Sequence, residues 1–119
     1  MYLYNIAGFL QWGYNFYNNC LSQAHIDPYL CTDGEFFVQS GDAFSVYPAH
    51  DGTAYETIHL AVFTEALQDI RALKRAEEKI GREAVEKIIR EEAGMDITFK
   101  KYPHNDEFIL NLRRRLFEI

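Results

Sequence analysis

The chain has 119 residues, 48% of them apolar and 25% charged, with 12 Lys and Arg against 18 Asp and Glu for a formal net charge of −6. That balance describes one globular domain with a modest core and excludes a disordered chain. It also excludes nucleic-acid binding, which needs a clustered basic surface, and no apolar stretch approaches the roughly twenty residues of a membrane span.

The first ten residues are apolar but lack the positive leading region of a secretory signal, which places the chain in the cytoplasm as an expectation. Residues 8–14 read as a buried strand, with Phe9, Leu10, Trp12 and Tyr14 packed close together and bracketed by Gly8 and Gly13. A long irregular stretch from about 15 to 40 follows, carrying the turn pairs Asp27-Pro28 and Asp33-Gly34. A loop this long is either functional or a warning about the strands on each side. Residues 43–47 read as a second strand stopped by Pro48, and Asp51-Gly52 as a turn.

Thr53-Ala-Tyr-Glu56 matches a capping box, so a helix is expected to start there. Its apolar stripe runs through Ile58, Val62, Ala66, Ile70, Leu73, Ala76 and Ile80, and Gly81 closes it. A second helix over 82–93 carries Val85, Ile88 and Ile89, with Glu83–Lys87 and Glu86–Arg90 as exposed i,i+4 pairs, and ends at Gly94. Asn105 caps a last helix bearing Phe108, Ile109, Leu112, Leu116 and Ile119. Arg113-Arg114-Arg115 within it reads as a solvated face.

The expected organisation is one partial α/β domain over 1–119, with strands and the long loop in 1–52 and a helical part in 53–119. Two strands separated by a long connection suggest parallel neighbours. Two are too few for an independent parallel sheet, which is covered on both faces. The segment therefore looks like part of something larger. Its unpaired edges and apolar faces favour a homo-oligomer or association with the missing portion.

The charges are unevenly spread. Residues 1–70 hold eight acids and no Lys or Arg, whereas residues 71–119 hold ten acids and twelve bases. All the aromatic residues except Phe99, Tyr102, Phe108 and Phe117 also fall in the first 70. Aromatic faces, carboxylates and amides without cations suit a neutral polyhydroxy ligand better than a phosphate.

Gly8-Phe-Leu-Gln-Trp-Gly-Tyr-Asn-Phe-Tyr17, Ser40-Gly-Asp-Ala-Phe-Ser-Val-Tyr-Pro48 with Asp51-Gly52, and Glu65-Ala-Leu-Gln-Asp-Ile-Arg-Ala-Leu73 stand in that order. Together they resemble the C-terminal part of the catalytic domain of glycoside hydrolase family 123, over roughly residues 1–93 and on toward the end. The resemblance implies the C-terminal fragment of a (β/α)8 barrel, with about two parallel strands and three helices present. Such barrels need about 250 residues. It also implies activity on terminal 2-acetamido sugars, chiefly N-acetyl-β-galactosaminides, by a substrate-assisted route in which an Asp-Glu pair orients the acetamido group and supplies the acid. The single Asp-Glu of this chain, Asp106-Glu107, lies outside the matching blocks at a helix start, where acids complement the macrodipole. No catalytic residue is therefore assigned.

Candidate substrate-binding residues are Trp12, Tyr14, Asn15, Asp42, Tyr47 and Asp51. Trp12 and Tyr14 have two readings, as a sugar platform or as core of a buried strand. Asn15 is drawn to the site by the resemblance. Asp42 and Asp51 flank the second strand and are either sugar-hydroxyl acceptors or turn residues; a strand of five residues spans about 17 Å, too far for a catalytic carboxylate pair. His25, His50, His59 and His104 are scattered, so no metal site is expected, and no cofactor is called for. Cys20 and Cys31 match no zinc spacing; a disulfide and two free thiols both remain open.

Overall fold

The computed structural model describes residues 1–119 as a mixed α/β chain: a 3-10 turn at Tyr2–Tyr4, β1 (Val46–Pro48), β2 (Ala54–Glu56), α1 (Ile58–Ile80), α2 (Arg82–Ala93) and α3 (Asp106–Phe117). Two compact units divide it, residues 8–65 on one hand and residues 1–7 with 66–119 on the other. No helix is long and apolar enough to cross a membrane.

The two strands are antiparallel, with Val46 opposite Glu56 and Pro48 opposite Ala54, in place of the parallel pair expected between residues 8–14 and 43–47. The reason is local. The Asp51-Gly52 turn reverses the chain between Pro48 and Ala54, a connection far too short for a parallel crossover. Gly52 takes φ 84°, and Asp51 Oδ1 accepts from the Thr53 N–H at 3.0 Å and the Thr53 hydroxyl at 2.6 Å. Thr53–Glu56 is consequently hairpin rather than capping box. Thr57 caps α1 in its place, its Oγ1 accepting from the Leu60 N–H at 3.3 Å.

Residues 8–14 do not form the expected strand. The segment runs irregularly to a single antiparallel bridge between Asn15 and Phe44. Tyr14 O accepts from the Ser45 and Val46 N–H groups at 2.7 and 3.2 Å, while Phe9 and Leu10 stay 60% and 86% exposed. A strand needs a neighbour along its length, and these residues have one only at their end. Likewise, of 43–47 only Val46 and Tyr47 enter β1, because the Phe44 N–H closes a turn onto Gly41 O at 3.1 Å. Ala43, Phe44, Ser45 and Val46 are nevertheless the buried centre of this unit. The Phe44 ring meets those of Tyr17 and Tyr47 at 5.6 and 5.3 Å.

The long loop is held by its own Asn and Asp side chains, as when Asp27 Oδ1 accepts from the Tyr29 N–H at 2.9 Å. Gly34, Glu35 and Phe36 are successively left-handed, with φ of 62°, 63° and 66°. The Phe37 and Val38 N–H groups close this turn on Asp33 O at 2.9 and 3.1 Å. Cys20 and Cys31 are free thiols.

The spans of α2 and α3 follow the sequence pattern, whereas of the apolar stripe expected along α1 only Leu73 and Ala76 are buried. Tyr2, Leu73, Ala76, Val85, Ile89 and Leu112 form the core. Gly81 at φ 83° ends α1 with its N–H on Glu77 O, Gly94 at φ 62° ends α2, and Asn105 Oδ1 caps α3 through the Phe108 N–H at 3.0 Å. The Glu86–Arg90 pair forms at 3.1 Å. The arginine run ties helices together: Arg113 makes a two-point ion pair with Asp69 of α1 at 2.6 and 2.9 Å, and Arg115 reaches Glu91 and Glu92 of α2. Arg82 lies over the Tyr2 ring, 4.8 Å from its centroid, and donates to Tyr2 O at 3.0 Å. The Tyr2 hydroxyl is buried without a formed hydrogen bond; burial foremost, then the neighbouring Glu77, pushes its pKa up to about 12.

Candidate functional site

The close approach of residues 11–16 to 42–46 assembles the most distinctive face of the 8–65 unit. Gly13 makes it possible. A Cβ there would stand 2.5 Å from Asp42 O and 2.6 Å from Ala43 Cα, so only glycine lets the two backbones run this near. The Trp12 indole N–H then reaches the Asp42 carboxylate at 3.2 Å, and the Gln11 amide donates to Asp42 O at 3.3 Å. Phe16 and Phe37 each meet the Trp12 ring edge-on at 5.5 Å. Trp12 remains 44% exposed, so the indole faces solvent and is not core.

The six candidate residues fall in three places. Trp12 and Asp42 are bonded to one another. Tyr14 and Asn15, both exposed, lie along the 43–46 backbone on the same approach. Tyr47 is half-buried in β1, its ring 5.2 Å from Tyr29 and 5.3 Å from Phe44. It borders a hollow of about 300 Å³ that also takes in Thr32, Ser40, Thr57 and His59, with the Thr32 and Ser40 hydroxyls hydrogen-bonded together. Asp51 sits at the hairpin tip, committed to Thr53.

Phe16, Phe37 and Tyr29 belong to this neighbourhood and were not singled out from sequence. Phe37 and Tyr29 arrive from the long loop, where no periodicity marks a residue as inward or outward. The hydroxyls of Tyr29 and Tyr17 anchor the loop to β1, donating to Pro48 O at 2.6 Å and Val46 O at 2.7 Å. Burial foremost raises the pKa of Tyr17. No three His, Cys, Asp or Glu side chains gather as a metal-binding group.

The face offers an indole, exposed amide groups and a carboxylate oriented by the indole N–H, with no Lys or Arg anywhere in residues 8–65. Asp51 is held below the usual carboxylate range, first by the Thr53 hydroxyl and then by the Thr53 N–H. Because the folded pKa is lowered, this contact acts above the ordinary carboxylate pKa and is lost as pH falls through the lowered value. Thr53→Val should raise the Asp51 pKa toward that of a free aspartate, read as the midpoint of its carboxyl carbon shift in an NMR titration.

Comparison with protein families finds a match between residues 1–76 and the family described as glycoside hydrolase 123, catalytic domain. Comparison with curated proteins found no match.

Proposed function

The chain belongs to the glycoside hydrolase 123 catalytic-domain family, and from that premise we propose that it is a C-terminal segment of such a domain, a piece of a (β/α)8 barrel that supplies one wall of a 2-acetamido-sugar site and turns nothing over alone. The observation that carries this reading is the Trp12–Asp42 contact, a solvent-facing indole bonded to a carboxylate at 3.2 Å in a segment without cations. An indole face stacks on the apolar side of a pyranose, and a fixed carboxylate accepts from its hydroxyls. Tyr14 and Asn15 extend the same wall, while Tyr47 and Asp51, which the fold holds elsewhere in the unit, would meet only a more extended ligand. The catalytic acid comes from the remainder of the domain, since Asp106 and Glu107 occupy the first turn of α3, beyond the matched residues.

The test is to join the chain to the preceding part of a family catalytic domain and assay an aryl N-acetyl-β-galactosaminide. The joined protein should hydrolyse it, the chain alone should not, and Trp12→Ala in the joined protein should lower kcat/KM by about 3- to 10-fold, the value of one aromatic stacking contact. Trp12 is the single tryptophan of this chain, so N-acetylgalactosamine should also change the fluorescence of the joined protein, and by less in its Trp12→Ala variant. No hydrolysis and no fluorescence response from the joined protein would sink the proposal.

A second reading, a non-enzymatic carbohydrate-binding or self-associating module, draws on the apolar side chains left in solvent, above all Phe36, Leu30 and Leu10 at 97%, 87% and 86% exposure. Sedimentation velocity separates the two. A self-associating module gives an oligomer that survives joining to the rest of the domain, whereas a domain segment becomes monomeric once joined.

A further inference from the structure

The helical unit of residues 1–7 and 66–119 contains an apolar hollow of about 350 Å³ that none of the sugar chemistry uses. Its floor is made of core residues, Leu73, Ile89 and Leu112, buried to 8%, 4% and 7% exposure. One wall is the stacked pair Tyr4 and Phe99, with ring centroids 4.6 Å apart and planes inclined by 21°. The Tyr4 hydroxyl donates to Ile97 O at 3.4 Å, so this wall is tethered to its own loop.

We propose that this hollow is a binding site for a small, neutral, flat aromatic molecule of about two rings. Volume sets the size. An apolar cavity of about 150 Å³ holds one benzene ring and stays dry when empty, so a hollow of this volume has room for roughly twice that. It also falls within the range of about 300–1,000 Å³ found for small-molecule sites.

Charge sets the neutrality. The lining contains two charged side chains, Asp69 and Arg113, and they are joined by two hydrogen bonds of 2.6 and 2.9 Å. A bidentate pair of this kind adds little net field to the lining, and a charged ligand would have to compete with it. The aromatic wall sets the shape, because an offset face extends the Tyr4–Phe99 stack. The Thr98 hydroxyl accepts from the Lys100 and Lys101 N–H groups, which leaves its proton for one acceptor atom on the ligand.

The site is independent of the sugar reading and is tested on the chain itself with prodan, a neutral naphthalene fluorophore. Binding should saturate at one site and shift the amide resonances of Leu73, Ile97 and Leu112. Two variants close the hollow at positions that are exposed: Ala66→Trp fills it from α1, and Ile109→Asp places a charge in its wall. Each should weaken binding by about tenfold or more, because the buried contact area has no room or loses its apolar character. Leu10→Ser, on the exposed apolar surface of the other unit, should leave binding unchanged. Helical circular dichroism checks that each variant folds, and either closing variant decides the matter if the other does not. Absence of saturable binding, unaltered affinity in the folded closing variants, or shifts confined to residues 8–65 would overturn the proposal.

Discussion

Phe44→Ala should unfold or severely loosen residues 8–65. Phe44 is 1% exposed and is the largest fully buried side chain of the chain, alongside Val85. Its ring joins Tyr17 from the long loop to Tyr47 of β1, so truncation removes packing from both. Phe-to-Ala changes in cores cost about 3–5 kcal/mol, from lost transfer energy and the cavity left behind. This unit buries few other large side chains, since most of its aromatics are half-exposed, so little remains to collapse into the gap. The measurement is equilibrium urea unfolding followed by Trp12 fluorescence. A midpoint within error of the parent would show that Phe44 is not the keystone of this unit. Phe44→Leu, which keeps most of the volume, should recover the larger part of the loss.

Gly13→Ala should come next in effect, and its cause is backbone rather than cavity. The added methyl would meet Asp42 O at 2.5 Å and Ala43 Cα at 2.6 Å. Neither atom is the free end of a side chain, so the two segments must separate. Overpacking of this kind costs about 1–3 kcal/mol. Separation also lengthens the hydrogen bonds that bind 11–16 to 42–46, namely Ser45 N–H to Tyr14 O at 2.7 Å and Phe16 N–H to Ala43 O at 3.2 Å. It further removes the Asp42 carboxylate from the Trp12 indole. The variant should therefore lose stability and shift the Trp12 emission maximum together, with faster hydrogen exchange at Ser45 and Phe16. Gly8→Ala is the control, because a Cβ there meets nothing within 4 Å. Equal behaviour of the two variants would refute the close-approach account.

The last two helices were legible in the sequence almost to the residue, whereas the start of α1 was placed too early. The span 82–93, the glycine at each of its ends and the Asn105 cap were all read correctly, because a helix is written in contacts three and four residues apart. The family was legible too, from three ordered blocks, although the match over 1–76 is narrower than the 1–93 expected. The strands were read poorly. An apolar run such as Phe9–Tyr14 carries no information about whether a neighbour exists to pair with it, and its backbone finds one only at the Asn15–Phe44 bridge. Capping-box residues at Thr53–Glu56 were claimed by the hairpin because Asp51 engages Thr53 first.

For the candidate site, the sequence supplied the types of residue and the absence of cations, while the fold supplied the partnerships. Trp12 and Asp42 are thirty residues apart in sequence, and their contact rests on a single glycine that allows two backbones to touch. Phe37 joins them from a loop whose course is set by Asp33 and three left-handed residues. By itself, then, the sequence determined what is local: the spans and caps of the last two helices, the family and a base-free, aromatic first half. Only the tertiary structure decided the antiparallel hairpin, the Trp12–Asp42 platform and the apolar hollow among the helices. Those depend on which distant segments approach one another, and that is settled by packing over the whole unit rather than by any pattern of neighbours along the chain.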